Sequence, residues 1–124
     1  MTDINRSAIR NLDPSEIYAD IISRPPLMRA QAAKAYIGKD VDWVLSYANG
    51  NELSLGEAWV AFRSGPREIR MIAGTVPLSK YPELKSLPAD TAVRVRGKIR
   101  EVETLIIELD IAELSFGPTF IAAG

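Results

Sequence analysis

The spacing of apolar residues changes once along this chain, close to residue 39. Before that point it is helical. Ile17 and Ile21 lie four apart, and Asp13-Pro14-Ser15-Glu16 ahead of them has the make-up of a helix start. Asp13 can accept from the free amides, Pro14 suits the first helical position, and Glu16 can reach back to the cap. Pro25 and Pro26 stop this helix near Ile22, and an Ala-, Met-, Gln- and Lys-rich stretch from Pro26 to Tyr36 predicts a second one. Gly38 is placed to end it in a left-handed turn.

After Lys39 the period becomes two. Val41, Trp43, Leu45 and Tyr47 alternate with Asp42, Val44 and Ser46, which predicts a strand, and Asn49-Gly50-Asn51 predicts the turn that ends it. A second strand is expected over Leu53 to Arg63 with a bulge at Gly56, then a turn at Ser64-Gly65-Pro66 and a third strand over Glu68 to Val76. Pro77 to Asp90 contains three prolines and room for one short helix. Thr91 to Arg100 alternates cleanly, with Val93, Val95, Gly97 and Ile99 on one face and Arg94, Arg96, Lys98 and Arg100 on the other. Leu105 to Phe116 forms the fifth strand, broken in parity near Ile111-Ala112.

The order is therefore two helices, a three-stranded meander, a short helical link and a closing hairpin. The fold class is mainly β: a five-stranded OB-like barrel with two short N-terminal helices and a short helical link between strands 3 and 4. We divide it into a flexible N-terminus (1–12), a helical lead-in (13–38), the barrel (39–117) and a tail (118–124), one domain overall. Tyr36-Ile37-Gly38-Lys39-Asp40-Val41-Asp42-Trp43 resembles the opening of the first strand in the anticodon-binding-like (tRNA_anti-like) OB family. Val93-Arg94-Val95-Arg96-Gly97-Lys98-Ile99 with Ile107-Glu108-Leu109-Asp110-Ile111-Ala112-Glu113-Leu114 resembles that family's closing hairpin. The resemblance implies a barrel that binds oligonucleotides, small ligands or proteins.

Composition narrows the chemistry. There is no cysteine and no histidine, which removes disulfides, thiol nucleophiles, thiolate metal sites and the commonest general base and metal ligand. No cofactor and no metal are expected. Fifteen Lys and Arg against sixteen Asp and Glu give a net charge of −1, without the basic excess of a sequence-blind nucleic-acid binder. No apolar run reaches the roughly 18 residues of a membrane span. Met1 to Leu12 lacks the apolar core of a secretory signal, so a cytoplasmic, soluble protein is expected.

Two surfaces offer candidate contacts. Folding the last hairpin around Val102-Glu103-Thr104 would set Lys98 opposite Glu108 and Arg96 opposite Asp110, which neutralises half of the basic stripe and leaves Arg94 and Arg100 free. Pairing strands 2 and 3 around Ser64 to Arg67 would set Phe62 against Ile69 and Val60 against Met71, turning Trp59, Ala61, Arg63, Arg70 and Ile72 outward. A tryptophan flanked by arginines could stack on bases. It could equally be shielded by the helical lead-in or by a partner chain, which we favour because large exposed apolar patches are uncommon on monomers. Trp43 reads as core. The carboxylates Glu101, Glu103, Glu108, Asp110 and Glu113 match no calcium loop.

No G-x-S-x-G, P-loop or G-x-G-x-x-G motif is present. The reading is a non-catalytic binding or protein-interaction module, with a protein partner or self-association. Single-stranded nucleic-acid binding through Trp59, Arg63, Arg70, Arg94 and Arg100 is the alternative. A small enzyme using carboxylates and hydroxyls is a third.

Overall fold

The helical start behaves as its four-residue signature dictates. In the computed structural model, which describes residues 13–65, 67–103 and 105–116, helix α1 spans Pro14–Ser23. The Asp13 carboxylate accepts from the Ser15 amide at 3.2 Å, and Glu16 accepts from the Asp13 amide at 3.4 Å, completing a capping box. Ile17, Tyr18 and Ile21 are buried on one side of α1. The second helical stretch is more broken than expected: a 3₁₀ turn at Pro26–Met28 leads into helix α2, Arg29–Lys34. Tyr36 then donates its hydroxyl to Asp20 and ties the two helices together. Burial, and after it that bond, push the Tyr36 hydroxyl up to about 12. Gly38 takes φ +88°, as its position after the helix requires. The expectations for residues 1–12 and 118–124 lie outside the described residues.

Five strands follow: β1 Asp40–Glu52, β2 Glu57–Arg63, β3 Met71–Pro77, β4 Ala92–Val102 and β5 Ile106–Phe116. They close into a barrel in the order β1-β2-β3-β5-β4. All neighbours are antiparallel except β3 and β5, which run parallel over three pairs, Met71 to Ala73 against Ile106 to Glu108. This is the five-stranded, Greek-key closure of an OB-fold. Val60, Phe62, Ile72, Val76, Val93, Val95, Ile99 and Ile107 are each at most 2% exposed and fill it.

Four sequence expectations need correction. Asn49-Gly50-Asn51 is strand, not turn: β1 bulges between Tyr47 and Asn49 and continues, with Gly50 opposite Val60. A Cβ at Gly50 would crowd the Tyr47 hydroxyl, which would have to shift to admit it. The real turn is at Leu55 and Gly56, both at positive φ, so Gly56 is a turn residue rather than a bulge.

Strands β2 and β3 pair three residues out of the expected register, with Phe62 opposite Ile72. An odd slip changes face, so Ile72 is fully buried while Ile69 is 77% exposed. In the last hairpin Val102 does not belong to the loop. It pairs with Ile107 and both are buried, which shifts the register so that Lys98 faces Asp110 and Arg96 faces Glu113.

Both barrel ends are plugged. At the end where β3 and β5 begin, Ile17, Tyr18 and Ile21 of α1 join the barrel core, and the Tyr18 hydroxyl donates to the Met71 carbonyl at 3.0 Å. The Arg70 guanidinium lies 4.4 Å over the Tyr18 ring and grips both oxygens of Glu68, at 2.7 and 2.8 Å. The opposite end is closed by Leu78, Tyr81 and Leu84 around the 3₁₀ turn Pro82–Ser86. There the Tyr81 hydroxyl accepts from the Leu114 amide at 3.1 Å.

Two outcomes follow from this packing. The Glu68 carboxyl is held down at about 2, against an ordinary 4.5, by the Arg70 hydrogen bonds. Its folded value is below its unfolded one, so its stabilisation is complete above pH 4.5 and is lost as pH falls toward 2. Urea midpoints of the protein and its Glu68→Gln variant should therefore differ at neutral pH and converge across that window; a constant gap would contradict the clamp. Gly97 sits where a Cβ would strike the Asp110 carbonyl across the β4–β5 bulge. Gly97→Ala should lower stability by about 1–3 kcal/mol in the same assay.

Candidate functional site

Strand alternation decides what the barrel shows to its surroundings. Along β2 the side chains of Ala58, Val60 and Phe62 go inward and those of Trp59 and Arg63 outward, while Ala61 between them is fully buried, as is its β3 partner Ala73. Trp59 pairs with Asn51 on one side and Thr75 on the other. Both of those are exposed, and Trp59 itself is half-buried. Leu53, 52% exposed, extends the same face of β1. Its amide donates to the Glu57 carbonyl at 2.7 Å, which makes it a diagonal neighbour of Trp59. Arg63 is exposed near the far end of β2, opposite Ser46, and makes no ion pair among the described residues.

The predicted site residues are thus separated. Trp59 and Arg63 share the outer face of β1, β2 and β3. Arg70 leaves that face: it lies in the β2–β3 connection, paired with Glu68 over Tyr18, and its role is to fasten α1. Ile72 is core and does not flank Trp59. The apolar side of α1 packs into the barrel core, a cluster to which Trp59 does not belong. Trp43 is core, 6% exposed, as its alternation indicates. Arg100 sits in the β4–β5 irregularity between Ile99 and Glu101, exposed, without an ion pair among the described residues.

Arg94 is not free either. It forms a fork on Asp42 of β1, Nε to Oδ1 at 2.9 Å and Nη2 to Oδ2 at 2.6 Å. Arg96 bonds Glu113 of β5 at 3.3 Å and approaches Asp42 at 3.8 Å. Lys98 bonds Asp40 at 2.9 Å. The Arg94 hydrogen bond holds the Asp42 carboxyl below its usual range. These pairs are largely solvated, so each contributes about 0.2–1 kcal/mol. Their effect on surface charge is larger: three of the four cations of the β4 stripe are neutralised. Asp40, Asp42, Arg96, Lys98 and Glu113, together with Lys80, line a groove of about 1050 Å³ across β1, β4 and β5, with Val41, Gly97, Ile111 and Ala112 between them.

The hairpin carboxylates divide as well. Glu113 serves Arg96, and Asp110 lines the groove. Glu101, Glu103 and Glu108 come together with oxygens within 4.8 Å of one another, the one such group among the described residues. Glu101 and Glu103 are exposed and Glu108 is half-buried. They offer oxygen ligands only, the kind that hard divalent cations take. What sequence reasoning missed was Asp40 and Asp42 as the partners of the stripe, because their pairing depends on β1 meeting β4 across the barrel.

The geometry defines an OB-fold barrel with Trp59 on its outer face and a basic stripe paired with carboxylates. The solved structures it is similar to agree with that fold. One is a Klebsiella pneumoniae subsp. pneumoniae MGH 78578 lipoprotein named for a proposed nucleic acid-binding role, with a TM-score of 0.58 at 13% identity over 90% of this chain and 98% of that one. Another is asparaginyl-tRNA synthetase from Pyrococcus horikoshii, solved with asparaginyl-adenylate. Its TM-score is 0.51 at 14% identity, over 77% of this chain and 22% of that one. No family model and no curated protein sequence matches the chain. Among the described residues, no helix is long and apolar enough to cross a membrane.

The two tryptophans should respond differently to truncation. Trp43→Ala removes a buried ring and should cost about 3–5 kcal/mol, and Trp59→Ala, half-buried on the outer face, about 1–2 kcal/mol. Urea unfolding measures both; equal losses would mean that Trp59 is packed as deeply as Trp43.

Proposed function

We propose that this chain is a non-catalytic OB-fold binding module that engages a protein surface through the outer face of β1, β2 and β3 around Trp59. The observation that supports it most directly is the pairing of the β4 cations. Arg94, Arg96 and Lys98 spend their charge on Asp42, Glu113 and Asp40, and a strand of phosphates would have to displace those carboxylates first. The Trp59 face keeps a large half-buried indole, exposed amides at Asn49 and Asn51 and an exposed leucine, a mixture suited to protein contacts.

Single-stranded nucleic acid is the second reading. It is favoured by the name of the Klebsiella neighbour and by the exposed Arg63 on the same strand as Trp59. A labelled oligothymidylate titrated at increasing salt separates the two. The protein should bind it weakly. A variant with Asp40→Asn, Asp42→Asn and Glu113→Gln releases three cations and should gain about tenfold in affinity at low salt, with a steeper salt dependence. Tight binding by the unmodified protein, abolished by Trp59→Ala and falling steeply with salt, would replace the protein-contact reading with the nucleic-acid one.

A further inference from the structure

Two exposed patches at opposite ends of the molecule match each other. The first is the knuckle between α1 and α2. Pro25 and Pro26 brace it, Leu27 is 96% exposed and Met28 is 48% exposed. Arg29 lies beside them. Its guanidinium is fixed by the carbonyls of Ile22 and Arg24, at 3.1 and 3.0 Å. Those acceptors are neutral, so Arg29 keeps its full positive charge next to two exposed apolar side chains.

The second patch is the ledge at the β1–β2 end of the Trp59 face. Leu53 lies diagonally beside Trp59, and diagonal neighbours, about 7–8 Å apart, are within reach of an aromatic ring. Pro77, exposed, follows Thr75 on the same face of β3. Glu57 stands on that face opposite Pro77, while Glu52, in register with the inward Ala58, projects from the other side of β1 at the strand's end. Both carboxylates are exposed and neither makes an ion pair among the described residues. The ledge is apolar with a negative border; the knuckle is apolar with a positive one.

We infer that the partner of the Trp59 face is a second copy of this chain, which lays its Leu27–Met28–Arg29 knuckle on the Leu53–Trp59 ledge with Arg29 toward Glu57. The inference rests on the proposed protein-contact reading and names its occupant. The helices sit at the end where β3 begins, because Tyr18 is bonded to Met71. The ledge sits near the end where β3 finishes. A contact between unlike patches on opposite ends is head-to-tail. Each molecule then offers one knuckle and one ledge, and association continues into short chains or a ring.

Sedimentation equilibrium on the full chain tests this. The unmodified protein should show an apparent mass that rises with concentration and falls back with added salt. Leu27→Asp removes the knuckle and Glu57→Lys repels it. Both residues are exposed, and matching circular dichroism would show that the fold is kept. Each variant alone should sediment as a monomer. An equimolar mixture should form a dimer and nothing larger, since each variant retains the patch that the other lost. A monomeric unmodified protein at every concentration, a mixture that stays monomeric, or variants that associate as well as the parent would each overturn the inference. Including labelled oligothymidylate distinguishes the two failures. If self-association is absent and Trp59-dependent oligonucleotide binding is present, the protein-contact reading falls with it; if the oligonucleotide stays free, only the second-copy assignment falls.

Discussion

The structure depends on one strand serving two neighbours. The first half of β1, Asp40 to Ser46, pairs with β4, and its second half, Ser46 to Glu52, pairs with β2. The bulge between Tyr47 and Asn49 falls where the hand-over occurs. A bulge bends its strand and increases its twist, which lets a single strand curl from one neighbour to the next. Closure then follows, and with it the absence of the free sheet edges that invite aggregation. Gly97 marks a place where the curl brings the neighbouring backbone too close for any side chain.

That closure also sets the surface chemistry. Asp40 and Asp42 lie opposite Lys98 and Arg96 only because β1 runs antiparallel to β4 in this register. Arg94, one pair further on, then reaches back to Asp42. The pairs add little stability in solvent, yet they convert a strand that reads as strongly basic into a neutral one. The face across the barrel escapes this cancellation, and its remaining character comes from Trp59, Leu53 and the unpaired charges at its ends. The Glu68–Arg70–Tyr18 clamp works differently. It is more sheltered, and it secures a helix that fills the barrel end.

What could be read from the sequence was whatever depends on near neighbours. The capping box at Asp13, the left-handed Gly38, the inward row Val93, Val95 and Ile99, and the burial of Trp43 all follow from residues within a few positions. So did the element order that suggested an OB-fold. The register of β2 against β3 was not legible, because Ile69, Met71 and Ala73 offer as plausible an apolar row as Ile72 and Val76. In the register adopted, Ile72 and Val76 are buried and Glu68 and Arg70 fall in the β2–β3 connection, where they pair over Tyr18 of α1. Asn49-Gly50-Asn51 has turn chemistry, but the demand that β1 be long enough to meet two partners overrides it. At the candidate site, Trp59 and Arg63 were placed on the correct face. Arg94 was misjudged because its partner Asp42 is distant in sequence, and Arg70 because the β2–β3 register leaves it in the connection, over the Tyr18 ring of α1.

The seam between β3 and β5 has a kinetic meaning. Among the described residues it is the only parallel junction, and just three residue pairs hold it. Parallel neighbours cannot be joined by a tight turn, so this junction waits for the whole of the link and of β4 to be laid down between them. The β1–β4 junction is just as remote, with Asp40 and Lys98 58 residues apart. Strands β1, β2 and β3 can zip locally as a meander, but their shared apolar face stays uncovered until β4 and β5 arrive together. High separation between contacting residues slows folding, and the slow step here is the closing of the barrel. During synthesis the meander emerges first, and its uncovered face is the chain's most exposed moment.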